Sequence, residues 1–416
     1  MTQPTAAAPA SPPALSRPRG GVALALAIVL AAANLRPAVS SLGPVLVDVR
    51  ADLGLSGTAA AVLTALPVLC FGVGALVAPR LARRVGSETT LAAVLALIAV
   101  GTLLRPVAGA AGLFAGTVLA GAAIAVANVL IPALVKREFP SQTGLLMGLY
   151  VSVTMGGAAV AAAVTVPLAE ALGGGWRLGL GVWTLPAAAA LLLWLAVIAS
   201  RRRRGLPDDR TDQVPASLLG DPVAWQVTAF MGLQSLVFYA LLSWLPSVVR
   251  SAGMDPVSAG RLTSLLVLVG VPTALLFPSL VTRTARQRGW TLLTTGVMAA
   301  GLAGLLLAPQ TPAPWAVLVG VGLGGAFPLA LTLVVLRTAT PLQAAQLSAM
   351  SQGVGYVLAA AGPFLFGVLH DLSGAWTWPL ALLLALMVPQ ALTGWRAGRD
   401  VVVGAARSAA LSDAAE

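Results

Sequence analysis

Long apolar runs separated by short polar joints fill most of this chain. Residues 21–47, 58–79, 88–104, 108–132, 143–169 and 175–199 form a first series of six. Residues 223–249, 258–281, 290–308, 314–337, 344–369 and 376–396 form a second. Each approaches the roughly twenty mostly apolar residues that carry an α-helix through the hydrocarbon core of a bilayer. The one long hydrophilic joint is "SRRRRGLPDDRTDQVPASLLGDP", residues 200–222. The pattern predicts an all-α polytopic membrane protein of twelve transmembrane helices. A six-helix bundle over 21–199 is joined by the 200–222 linker to a second bundle over 223–396, with tails at 1–20 and 397–416. The first tail is rich in Pro, Ala and Ser and is expected to be disordered. The apolar segment behind it is too long for a signal-peptide core and has no cleavage site, so it reads as a retained helix.

Composition supports the bilayer. Only 9% of the 416 residues are charged, against about a quarter in soluble domains. The formal net charge of +11 would suit a nucleic-acid binder, but the basic residues are scattered over short loops rather than gathered on one face. Arg50, Arg105, Arg177, Arg250 and Arg261 fall on loops opposite the termini and Arg36 lies inside the first span. The rest fall on the side of the termini, which the positive-inside rule makes cytoplasmic. The single cysteine, Cys70, excludes an internal disulfide and reads as a small core residue.

The first span holds the sharpest anomaly, "AAANLRPAVSSLGP" from Ala31 to Pro44. A charged side chain at mid-helix costs about 2.5–3.5 kcal/mol on insertion scales, and Arg36 lies about 22 Å along a helix that starts at Gly21. Pro37 and Pro44 free backbone carbonyls, which is tolerated only against protein or a water-filled cavity. All 14 acidic residues fall in loops or at helix ends, so no carboxylate is available at a helix centre. An anionic or strongly polar substrate would supply the missing charge. The competing reading is an arginine snorkelling to the interface. Further candidates for the same site are Asn34, Asn128 four residues before Pro132, Gln234, Tyr239 and Trp244 on the seventh span, and Gln352 and Tyr356 on the eleventh. Gln352 and Tyr356 are four apart and share a helix face. Each of these side chains can hydrogen-bond a small polar solute. The alternative for each is interhelical bonding, worth about 0.6 kcal/mol on average.

The halves echo each other. "FPSQTGLLMGL" at 139–149 returns as "TPLQAAQLSAM" at 340–350, aligning Pro140 and Gln142 with Pro341 and Gln343. "GGGW" ending at Trp176 returns as "SGAW" ending at Trp376. Such a repeat implies two pseudo-symmetric bundles with substrate bound between them near the midplane. On that alignment Pro37 corresponds to Tyr239, which sets Tyr239 across from Arg36. "GVGLGG", Gly320 to Gly325, lies inside an apolar span and fails as a dinucleotide fingerprint. Gly112 and Gly116, Gly144 and Gly148, and Gly320 and Gly324 are helix-packing pairs. The lone histidine, His370, reads as an exposed helix-end residue, with a proton-coupling role as the alternative.

"PRLARRVG", Pro79 to Gly86, resembles the loop signature of the major facilitator superfamily, with Arg80, Arg83 and Arg84 matching and Pro79 replacing its acidic residue. "ANLRPAVSSLGPVLVDVRADLGLS", "NVLIPALVKREFP", "GLQSLVFYALLSWLPSVVRSAGM" and "GGAFPLALTLVVLRTATPLQAAQLSAMSQGVGYVLAAAGPFLFGVLHDLSG" together resemble the cyanate/2-nitroimidazole (CynX/NimT) permease family of that superfamily. The resemblance implies a multi-pass plasma-membrane permease working by alternating access, driven by proton symport or by the solute gradient. Its expected partners are the bilayer and a small solute, as a monomer without cofactor. A multidrug or antibiotic exporter is the alternative. A membrane enzyme or receptor is more distant, because one His, one Cys and no buried carboxylate leave nothing to build a catalytic set from.

Overall fold

The computed structural model describes residues 21–205 and 217–404. The tail over 1–20, residues 206–216 of the central linker and residues 405–416 of the C-terminal tail lie outside the described residues. The helices are α1 (Val22–Ala33), α2 (Pro37–Ser40), α3 (Leu42–Leu53), α4 (Gly57–Val85), α5 (Ser87–Val107), α6 (Gly109–Glu138), α7 (Thr143–Ala171), α8 (Gly175–Gly181) and α9 (Thr184–Arg203). They are followed by α10 (Pro222–Ser251), α11 (Pro256–Val281), α12 (Arg288–Leu307), α13 (Pro312–Leu336), α14 (Pro341–Ser373) and α15 (Thr377–Ala397). Twelve spans among them are long and apolar enough to cross a membrane, and they match the predicted series one for one. Two predicted spans differ in form, the first being split into α1, α2 and α3 and the sixth into α8 and α9.

Several helices outrun their apolar stretches. α6 continues to Glu138 and α14 runs from Pro341 to Ser373. Charged residues end an apolar run, but the backbone keeps its internal hydrogen bonds as it leaves the bilayer. For the same reason Arg50, Arg105, Arg250 and Arg261, expected in loops, lie inside α3, α5, α10 and α11, and Arg177 lies inside the short α8.

Helices α1–α9 pack chiefly among themselves, as do α10–α15. The two groups meet where α4 lies on α14, α7 on α11, and α6 on α13 and α14. Glycines allow the close approaches. A Cβ on Gly101 of α5 would lie 2.8 Å from the Gly116 carbonyl of α6. Gly320 and Gly324 of α13 rest on the backbone of α11 at Leu266 and Gly270, so the "GVGLGG" stretch is a packing surface. Gly144 of α7 does the same between the groups, where a Cβ would lie 2.8 Å from the Pro278 carbonyl of α11.

Charge is organised on the face that carries the described chain ends. Arg137 pairs with Glu88 at 2.9 Å and Glu138 at 2.7 Å, and Arg201 reaches both carboxylates at 3.0 Å. These contacts tie together α5, α6 and α9. In the second group Arg337, at the end of α13, donates to the Ala397 carbonyl at 2.9 Å and to the Gln287 side chain, with Asp400 at 3.4 Å. Burial lowers the Arg337 guanidinium from its ordinary pKa, and Asp400 acts against that shift. On the opposite face Arg177 and Asp52 pair at 2.7 Å. This joins α8 to α3, and the hydrogen bond from Arg177 holds the Asp52 carboxyl below its usual pKa.

One cation bridges the two groups directly. Lys136 of α6 donates to the Val335 carbonyl at 2.6 Å and to the Thr338 carbonyl, both at the C-terminal end of α13. A cation there also meets the negative end of the helix dipole. Ala133, Ala344 and Ala345 are buried together nearby. The groups are therefore latched on the side of the chain ends. Lys136→Met is expected to weaken that latch by about 1.5–3 kcal/mol, the worth of a hydrogen bond from a charged donor. In a Cys70→Ser background, a thiol at position 345 should then label at least tenfold faster than in the Lys136 protein.

Candidate substrate site

The site starts with a missing hydrogen bond. Pro37 has no N–H to return to the Ala33 carbonyl, so α1 stops at Ala33 and residues 34–36 form a turn before α2. Gly157 of α7 meets the break, where a Cβ would lie 2.7 Å from the Ala33 carbonyl oxygen. The Thr154 hydroxyl approaches the Ala32 carbonyl at 3.4 Å. Leu35 is fully buried. Asn34 folds back, its amide donating to the Leu30 carbonyl at 2.8 Å.

Arg36 projects from this turn as the N-cap of α2. Its guanidinium carbon sits 5.6 Å from the ring centre of Phe71 on α4, within the range of a cation–π contact. It lies in electrostatic reach of the hydroxyls of Tyr150 on α7, Tyr239 on α10 and Tyr356 on α14. The chain contains only 3 tyrosines, and all of them surround Arg36. Among the described residues no carboxylate pairs with it. The aromatic rings form a continuous wall: Phe71 to Tyr356 at 5.8 Å, Tyr356 to Tyr239 at 6.4 Å, and Tyr239 to Phe238 at 5.2 Å between ring centres. The Tyr356 hydroxyl is buried, with the Arg36 guanidinium as its polar neighbour.

A buried polar chain supports this wall. Tyr150 donates to Asn128 Oδ1 at 2.9 Å. The Asn128 backbone carbonyl lost its helical donor to Pro132, and Gln352 of α14 donates to it at 3.0 Å from the other helix group. Gln352 also donates to Ser348 at 2.8 Å. Asn128 and Gln352 are nearly inaccessible, so each of these bonds is costly to lose.

The structure thus brings together Arg36, Tyr239 and Tyr356, and links them through Tyr150 to Asn128 and Gln352. It does not bring Gln234, Trp244 or the Asn34 amide to that cluster. Gln234 is buried and donates to the Met231 carbonyl at 3.0 Å and Ser235 at 2.6 Å. Trp244 donates to the Pro363 carbonyl at 2.9 Å and stacks with Phe366 and Trp376. His370, expected to be exposed, is half-buried because its ring stacks on Trp376 at 3.6 Å. Sequence reasoning missed Phe71 and Tyr150. Tyr150, Thr154 and Gly157 follow the i, i+4, i+7 spacing of one helix face, and that was the available signal.

The two buried tyrosines should respond differently to loss of the hydroxyl. Tyr150→Phe leaves Asn128 Oδ1 without its donor and is expected to cost about 1–3 kcal/mol of stability. Tyr356→Phe removes a hydroxyl whose polar neighbour is Arg36 and leaves no amide or backbone group orphaned, so it should cost less than Tyr150→Phe, about 1 kcal/mol or below. Thermal melts of the two variants in detergent check the contrast.

Comparison with known proteins agrees with this architecture. The family model described as Major Facilitator Superfamily matches residues 22–363. The "Uncharacterized transporter YycB" of Bacillus subtilis (strain 168) is 41% identical over 90% of this chain and 92% of its own length. The "2-nitroimidazole transporter" of Escherichia coli (strain K12) is 38% identical over 91% of this chain and 96% of its own. The "Cyanate transport protein CynX" of the same organism is 34% identical over 87% and 95%. In fold, the chain is similar to the proton:xylose symporter XylE, with a TM-score of 0.74 over 93% of this chain and 98% of that one at 12% identity. A helix broken around an arginine, twelve spans in two groups and relatives of near-equal length lead to one conclusion: this chain belongs to the major facilitator superfamily, among the transporters of the CynX/NimT type, and is a secondary transporter rather than an enzyme.

Proposed function

We propose that this chain moves a small anionic or strongly polar solute across the membrane by alternating access, with Arg36 supplying the fixed charge that binds it. One observation carries the reading: the arginine of the broken first span is ringed by all three tyrosines and pairs with no carboxylate among the described residues. A unit negative charge 4 Å from the guanidinium would gain about 4 kcal/mol at an effective dielectric near 20. The hydroxyls of Tyr239 and Tyr356 face the guanidinium and can donate to the same solute. Relatives named for cyanate and 2-nitroimidazole support a solute of this size. The same arginine disfavours export of cationic drugs.

The positive-inside rule sets the chain ends on the cytoplasmic face of the plasma membrane. The Lys136 latch then closes the cytoplasmic side, and the site receives solute from the opposite side. Rocking of one helix group over the other across Gly144 and Gly148 would exchange the two accesses. The protein acts as a monomer in this reading, and a proton moving with the solute is the coupling ion.

Uptake of cyanate, benzoate and 2-nitroimidazole into proteoliposomes, with and without a pH gradient, tests the proposal. We expect saturable uptake of at least one of these that accelerates with an inward proton gradient. Arg36→Gln should lower kcat/KM by more than about 100-fold, the equivalent of roughly 2.7 kcal/mol, while the variant remains monodisperse. Wild-type transport by Arg36→Gln, or selective transport of organic cations, would sink the anion reading.

A further inference from the structure

Arg105 is a second arginine buried beside the first span. Its place in the sequence suggests a loop charge, yet it occupies the last turn of α5 with only 1% of its surface exposed. No carboxylate pairs with it among the described residues. Its Nη1 donates to the Ala38 backbone carbonyl of α2, and its Nε is buried without a partner. Gly116 of α6 makes room for the stem, since a Cβ there would lie 3.1 Å from Arg105 Cγ. Burying a guanidinium to hold one neutral carbonyl carries a large desolvation penalty, so the contact calls for an explanation beyond helix packing.

The geometry of the break supplies one. α2 is a single turn of 4 residues, too short to be stable alone. Upstream of Arg36 the chain is pinned by Thr154 at the Ala32 carbonyl and by the close approach of Gly157 to the Ala33 carbonyl. Downstream, Pro37 packs on Gly157, and Arg105 adds a directional grip at the Ala38 carbonyl, two residues past Arg36. Without that contact the rotation of α2 is restrained by apolar packing alone. Arg36 must point from this turn toward tyrosines on three different helices, so a small rotation of α2 moves its guanidinium away from them.

We propose that Arg105 is a positioning residue of the substrate site: by holding the Ala38 carbonyl it fixes the turn that aims Arg36 at Tyr150, Tyr239 and Tyr356. The proposal rests on Arg36 being the substrate-binding charge. It requires no contact between Arg105 and the solute.

The three tyrosines provide a direct readout. Protein labelled with 3-fluorotyrosine should give three ¹⁹F resonances, assigned by single Tyr→Phe variants and read without any solute present. In Arg105→Met the Tyr239 and Tyr356 resonances should shift or broaden, and the KM for benzoate uptake should rise at least tenfold with the maximal rate within threefold of wild type. Arg105→Lys, which keeps a charged donor for the carbonyl, should restore the resonances and bring KM back within threefold. If Arg105→Met does not yield monodisperse protein, Arg105→Gln is read in the same way. Wild-type resonances in the Met or Gln variant would overturn the proposal, even if uptake fell. So would a Lys variant as perturbed as Arg105→Met. Where the wild-type protein takes up cyanate or 2-nitroimidazole instead of benzoate, KM is read with that solute; absence of uptake of all three would count against the anion reading alone, because the solute-free spectra still decide whether Arg105 positions Arg36.

Discussion

The structure turns on a cation without a counter-ion. Arg36 is held inside a membrane span with no carboxylate partner among the described residues, and its surroundings are arranged to make that tolerable. Pro37 ends α1, so the arginine sits in a turn rather than on a continuous helix. A short turn can aim a side chain between two helix groups, whereas an unbroken helix would place it by its own rotation. Phe71 offers its π-face and the tyrosines offer hydroxyl dipoles. Such partners ease the burial of a guanidinium without neutralising it, so the net charge stays available for a solute.

Proline plays the same part twice near this site. Pro37 frees the Ala33 carbonyl, which meets the backbone of α7 at Gly157. Pro132 frees the Asn128 carbonyl, which takes a hydrogen bond from Gln352 across the two helix groups. In lipid an unpaired carbonyl costs several kcal/mol, so each freed group demands a partner within the protein. The demand ties distant helices together at the depth of the site. Lys136 uses a related chemistry at the latched side, with the open carbonyls at the end of α13 as its acceptors. Contacts of charge or amide with carbonyl are directional, so they set the register in which the two helix groups meet.

The terminal-face clusters answer a different need. Glu88, Arg137, Glu138 and Arg201 close a four-way ion network within the first group, and Arg337 closes the corresponding corner of the second through carbonyl, amide and carboxylate partners. Much of the positive charge that sets topology is thereby used again as structure. Both networks bind helices of one group, so each can move as a unit while the contacts between groups change.

Hydropathy alone determined the twelve spans, because a bilayer of fixed thickness demands apolar runs of fixed length. The same logic exposed Arg36, since a charge without a carboxylate partner is conspicuous in so apolar a chain. The internal echo carried Tyr239 to its place, because pseudo-symmetric halves set equivalent positions across one axis. Phe71 was not legible, and Tyr150 was marked only by its spacing with Thr154 and Gly157: their role depends on the rotation of α4 and α7, which an almost wholly apolar helix barely records. The pairing of Gln352 with Asn128, the inward turn of Asn34 and the withdrawal of Trp244 into an aromatic stack likewise depend on which helices meet and at what height. Arg105 marks the limit most clearly. In sequence it is one more arginine near a span end, and only the packing of α5 on the broken first span places it beneath the Ala38 carbonyl. Sequence therefore fixed which residues lie in the membrane, through solvation, and tertiary structure decided which of them face one another, through packing.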